Sequence, residues 1–136
     1  MLGKYDESIE LLEKCLKEIP REIINEDEIY ENLGHTYLSK GEFERALEYF
    51  EQALDLSGED RPSILKGIAN VKYHQGFPDE AQALLKRALE IAIRNEGESS
   101  YLVAKVYSDL GILYQSQEKY DDALQCHQKS FNIIQM

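Results

Sequence analysis

NLGHTYLSKGEFERALEYFEQAL (residues 32–54) comes back as DLGILYQSQEKYDDALQCHQKSF (residues 109–131), and this echo decides how the chain is read. Each copy is split by a polar break, SKGE at 39–42 and SQEK at 116–119. After the break, apolar or small residues recur three and four apart, the spacing of one face of an α-helix. Aligning Ala46 with Ala123 brings in two more copies, PDEAQALLKRAL around Ala81 and YDESIELLEKCL around Ser8. From Ser8 onward the steps are 38, 35 and 42 residues, so the chain is an array of similar units.

A second helical pattern precedes the last three copies. Tyr30, Leu33, Gly34 and Tyr37 follow the order aromatic-x2-Leu-Gly-x2-Tyr, and Tyr107, Leu110, Gly111 and Tyr114 repeat it. Leu65, Ile68, Ala69 and Lys72 give a looser version. Gly41 and Gly76 suit helix C-terminal caps, and Pro78 suits the first turn of the next helix. SGEDRP (57–62) and RNEGES (94–99) carry turn and capping residues between units. Seven helices are expected, at about 4–18, 25–39, 43–56, 62–74, 78–93, 99–116 and 120–134. Gly34 and Gly111 would let a partner helix come close, with Ala46 and Ala123 as the small residues opposite. Tyr37, Phe50, Leu85 and Tyr114 would then fill the wedges. Each helix pair can bury only one face, so neighbouring pairs must stack.

With these residues in place the chain resembles the tetratricopeptide repeat family, whose pattern joins Trp-x2-Leu-Gly-x2-Tyr to a later Ala-x3-Phe. The unit from Asp27 to Gly58 matches through Tyr30, Leu33, Gly34, Tyr37, Ala46, Phe50 and Ala53, with tyrosine in the tryptophan place. Departures are His127 for Phe, Ser130 for Ala and Lys72 for Tyr. The 42-residue step is similar to the kinesin light chain kind of repeat. The resemblance implies an all-α, right-handed α-solenoid of antiparallel helix pairs. One array would run over 1–136, with a half repeat at 3–20 and repeats at about 27–58, 62–95 and 100–136.

Composition sets the outer limits. Apolar residues are 43% and charged residues 30% of the 136, enough for a core under a solvated surface. The formal charge of −11 arises entirely within residues 1–60, since residues 61–136 hold equal numbers of acids and bases. Phosphate contacts need clustered Lys and Arg, so nucleic acid is not an expected partner, and neither is an anionic membrane. A basic partner segment would instead be steered to the acidic half. MLGKYDESIE has no signal-peptide character, and Cys15 and Cys126 read as reduced thiols, so a cytoplasmic setting is expected. The first stretch is a second helix without its first, and FNIIQM ends apolar. Solenoids usually close on polar caps, so the expectation is a fragment of a longer array, or ends covered by self-association. Ile9, Leu12, Leu16 and Ile19 at one end, and Leu124, Phe131, Ile133 and Ile134 at the other, would carry such contacts.

No catalytic motif is present, so the chain is expected not to be an enzyme and to need no cofactor. Cys126 and His127 are adjacent, and neighbours on a helix point about 100° apart, which rules out an activated pair. His35, His74 and His127 are dispersed, and no metal site is expected. The resemblance implies that the first helix of each pair lines a concave groove that binds protein or extended peptide. On this sequence the groove residues would be Glu28, Glu31, Asn32 and His35, then Lys66, Asn70, Tyr73 and His74, then Lys105, Ser108, Asp109 and Gln115. Leu38, Ser39, Ser63, Gly67, Ile112 and Ser116 complete the three rungs. The expected role is a scaffold or adaptor. Some family members clamp the C-terminal carboxylate of chaperones with a Lys and an Asn four apart, as Lys66 and Asn70 stand. Asp109 falls where the clamp's next Asn belongs, and its charge would repel a carboxylate. A structural, self-associating segment is the alternative outside the binding class.

Overall fold

The computed structural model describes residues 3–135. Among them are seven α-helices and no strand: α1 (Lys4–Glu18), α2 (Glu26–Lys40), α3 (Phe43–Ser57), α4 (Pro62–His74), α5 (Pro78–Glu96), α6 (Tyr101–Ser116) and α7 (Tyr120–Gln135). The expected all-α class and helix order are what the chain adopts. Two boundaries differ from expectation by more than one residue. Arg94, Asn95 and Glu96 stay helical, and α5 ends only at Gly97, whose φ is +89°. At α6 the Ser100 hydroxyl accepts from the Val103 backbone N–H at 3.2 Å, which makes Ser100 the N-cap and starts the helix at Tyr101.

The chain divides between Asp60 and Arg61 into two compact units. In the first, α2 packs against both α1 and α3. Leu33, Ala46, Phe50 and Ala53 are fully buried there. Gly34 is required by its neighbour, because a Cβ at that position would lie 2.6 Å from Phe50 Cδ1. Beside this contact the rings of Tyr30 and Tyr49 stack at 5.9 Å, and those of Tyr49 and Tyr37 at 5.4 Å. Burial in this stack pushes the Tyr49 phenol above its ordinary pKa. Arg45 lies over the Tyr37 ring and donates to its hydroxyl at 3.3 Å. The same hydroxyl donates to Glu13 Oε1 at 3.5 Å, so the stack also ties down α1. Lys40 donates to Asp6, which holds that carboxyl below the ordinary carboxylate range. Ile9, expected on an open face of α1, is buried. The exposed large apolar residues of α1 are Tyr5 and Leu11, while Leu12, Leu16 and Ile19 are half-buried.

In the second unit α5 packs against α4 and α6, α6 packs against α7, and α4 also touches α6. Ile64, Val71, Leu85, Val103, Val106 and Leu113 are its largest fully buried side chains. His127 does what Phe50 does in the first unit: a Cβ at Gly111 would lie 2.6 Å from the imidazole Cε1. The departure from Phe therefore keeps the close helix approach and changes only which flat ring fills it. Tyr114, expected as a wedge, is half-buried and carries Lys119 over its ring at 6.0 Å. Both cysteines are free thiols, and burial pushes the Cys126 pKa up, which disfavours its thiolate form.

The three breaks share one backbone device with unequal chemistry. Gly41 and Gly76 have φ of +90° and +91°, and the matching residue of the last break is Glu118, with φ +61°. A left-handed conformation costs a residue with a Cβ about 1–2 kcal/mol. Glu118→Gly is accordingly expected to raise stability by about 1 kcal/mol, net of glycine's extra freedom in the unfolded chain. Urea denaturation of the two forms reads this directly, and a loss of stability would refute it.

Candidate functional site

The candidate residues stand on the first helix of each pair: α2 in the first unit, α4 and α6 in the second. On α2 the arrangement is mostly local. Glu28 Oε2 accepts from the Asn25 side chain at 3.2 Å, so it is turned back to the helix start. Glu31 lies 3.5 Å from His35 Nε2, one turn along. The His35 ring also stands edge-on to Phe50 at 4.9 Å, so one side of it belongs to the core. Asn32 is exposed and Leu38 half-buried. Together with Lys4, Tyr5 and Ser8 of α1, His35, Thr36 and Ser39 line a shallow depression.

On α4 and α6 the structure joins residues that the sequence separates. Lys66 Nζ lies 3.1 Å from Asp109 Oδ2, and the two side chains are only 20% and 19% exposed. That carboxylate oxygen is sealed from solvent and, among the described residues, meets no donor in hydrogen-bonding geometry. The ammonium charge, set off the hydrogen-bond line, is thus its compensation. Both residues were candidate groove positions, but their pairing was missed. The legible signal is that opposite charges occupy adjacent register positions of consecutive units, and only the α4–α6 contact turns this into a bond.

The remaining candidates on this face differ in how free they are. Asn70, one turn beyond Lys66, is half-buried, and its amide has no hydrogen-bond partner among the described residues. Such an amide can donate and accept at once. Tyr73 is half-buried, its ring meeting that of His74 edge-on at 5.3 Å. Lys105 lies over the Tyr101 ring at 4.7 Å, a partner the sequence did not single out. Ser108 is half-buried, and Ile112 and Gln115 are exposed. The Ser116 hydroxyl donates to the Leu113 carbonyl at 2.6 Å and is engaged there. Gly67 is buried. The face is therefore polar at the Lys66–Asp109 pair and part apolar at Tyr73 and Ile112. No helix among the described residues is long and apolar enough to cross a membrane.

Comparison with known proteins bears on the family and the fold. The tetratricopeptide repeat model matches residues 1–59 and 60–136. The photosystem I assembly protein Ycf3 of Rippkaea orientalis is 33% identical over 95 residues, covering 65% of this chain and 54% of that protein. The crystal structure of BtubC from P. vanneervenii superposes on 98% of this chain and 57% of its own, with a TM-score of 0.81 and 28% identity. Kinesin light chain repeats from Podosopora anserina, 21% identical, cover 96% of this chain and 67% of theirs with a TM-score of 0.69, and share the fold. The chain thus spans little more than half the length of the first two.

Proposed function

Because the chain belongs to the tetratricopeptide repeat family, we propose that it is a non-enzymatic binding module that holds an extended segment of a partner protein against the outward faces of α4 and α6. One observation carries the reading. α4 and α6 bury their inner sides in the second unit's core, yet keep a joint outer face where an unengaged amide, Asn70, sits between a charged pair and exposed apolar surface. An extended backbone has N–H and C=O groups to match that amide, and its side chains can lie on Tyr73 and Ile112. The acid excess of residues 1–60 favours a partner with a basic segment. A relative described as an assembly protein suits a scaffold or adaptor role. The chaperone-tail reading has less support, because Lys66 is already engaged by Asp109.

A second reading rests on α7. Tyr120, Leu124, Phe131 and Ile134 recur along its outer side and are 58–63% exposed. A stripe of this kind on a helix is suited to contact with another copy of the chain.

An affinity pull-down separates the two readings. The parent chain is compared with a Lys66→Ala/Asn70→Ala variant and with a Phe131→Ser variant. Foreign proteins lost only from the first variant support the outer face of α4 and α6. Foreign partners kept by both variants refute it. A catch consisting of the chain itself, lost only with Phe131→Ser, moves function to α7.

A further inference from the structure

Two residues from different repeats, one cationic and one anionic, meet on the face proposed above as the binding surface, four-fifths buried and 3.1 Å apart. We infer that Asp109 is the charge-selectivity residue of this face: by holding Lys66 as an internal ion pair, it excludes carboxylate groups and leaves the face to neutral or backbone contacts. The inference rests on the binding reading just given, and it adds the chemistry of what is bound.

The physical case starts with burial. A lysine of such low exposure would ordinarily be a strong anchor for an anionic ligand, because few waters compete for it and the local dielectric is low. Here the Asp109 Oδ2 atom occupies that role from within the fold. A ligand carboxylate reaching for Lys66 must take its place beside Asp109, and two like charges so close repel through the same low dielectric. Displacing the ammonium also leaves Oδ2 without compensation, for among the described residues no donor hydrogen-bonds that atom. The cost falls on anionic ligands alone. A neutral backbone can use the Asn70 amide, one turn away, without disturbing the pair.

The rest of the face does not undo this selection. The other lysine among the groove candidates, Lys105, lies on the Tyr101 ring and is exposed, so water screens it. In the matching places of the other first helices stand Glu31 and Asn32 on α2, and Gly67 on α4 beside Lys66. Asp109 is thus the single groove candidate that carries an acid onto a lysine across the α4–α6 contact.

The decisive experiment uses acetyl-tetraglutamate with a free C-terminus as the anionic probe, titrated into the full chain while the Lys66 ammonium is followed by NMR. Asp109→Asn keeps the side-chain shape and removes the charge. It is expected to bind the probe at least about tenfold more tightly than the parent, as a freed, charge-assisted contact allows. The gain should vanish in Lys66→Ala/Asp109→Asn. A merely structural pair would change melting temperature without any gain in probe affinity, and that result overturns the inference. So does a parent chain that binds the probe through Lys66 as tightly as Asp109→Asn. If Asp109→Asn does not fold, Asp109→Ser is used, and the parent titrated against Lys66→Ala still decides: a Lys66-dependent affinity refutes the inference, and its absence supports it. The natural partner is not involved, so the binding reading can fail in the pull-down while this selectivity stands, and the reverse.

Discussion

Phe50→Ala is expected to destabilise the chain by about 3–5 kcal/mol, the largest single-residue effect in its first unit. The ring has no exposed surface and packs closely against Gly34, where it meets the backbone of α2 rather than a side chain. Backbone cannot swing in to refill the space, so the cavity term adds to the lost transfer energy. The edge-on contact with His35 goes as well. Urea unfolding followed by far-UV ellipticity measures the loss, with Phe50→Leu expected to cost clearly less because it refills part of the cavity. A coupling test sharpens this. Gly34→Ala should be costly in the parent, where its Cβ would meet the ring at 2.6 Å, and milder beside Phe50→Leu. A cost below about 1 kcal/mol for Phe50→Ala would mean the ring does not lie in a rigid pocket.

Leu85→Ala should have a comparable effect on the second unit, about 2–5 kcal/mol. Leu85 is 2% exposed on α5, the helix that packs against both α4 and α6. A cavity there loosens two helix contacts at once, including the framework that holds Lys66 and Asp109 in reach of each other. Leu124→Ala is the matched comparison. Chemically it is the same change, but Leu124 is 58% exposed on α7, and the expected cost is within about 0.5 kcal/mol. Equal costs at the two positions would contradict the assignment of inner and outer faces. A larger loss at Leu124 in concentrated solution than in dilute solution would point to self-association through α7.

How far the sequence could be read differs between fold and site. Helix order was legible because glycine, proline and polar breaks recur at matched places, and because amphipathic spacing fixes a helix without reference to distant residues. The packing role of Gly34 was legible too, since a small residue opposite a large one has one physical use. Other features were not. Ile9 belongs to the core because α2 lies beside it, which no local pattern states. Glu118 takes a left-handed turn because the helices it joins demand one, although the residue itself resists it. Register puts Glu28 among the groove candidates, and only the structure shows that its carboxylate accepts from the Asn25 side chain.

The sequence by itself determined the class, the number of helices, their approximate ends and the register that aligns Ala46, Ala81 and Ala123, all of which follow from spacing along one strand of text. Only the tertiary structure decided that His127 serves as the ring against Gly111, that Tyr30, Tyr49 and Tyr37 form one stack, and that Lys66 is bound to Asp109. The physical reason is that periodicity specifies which face a residue stands on, whereas charge pairing and ring packing depend on distances of a few ångströms between residues far apart in the chain. Those distances exist only once α4 meets α6 and each helix closes on its partner.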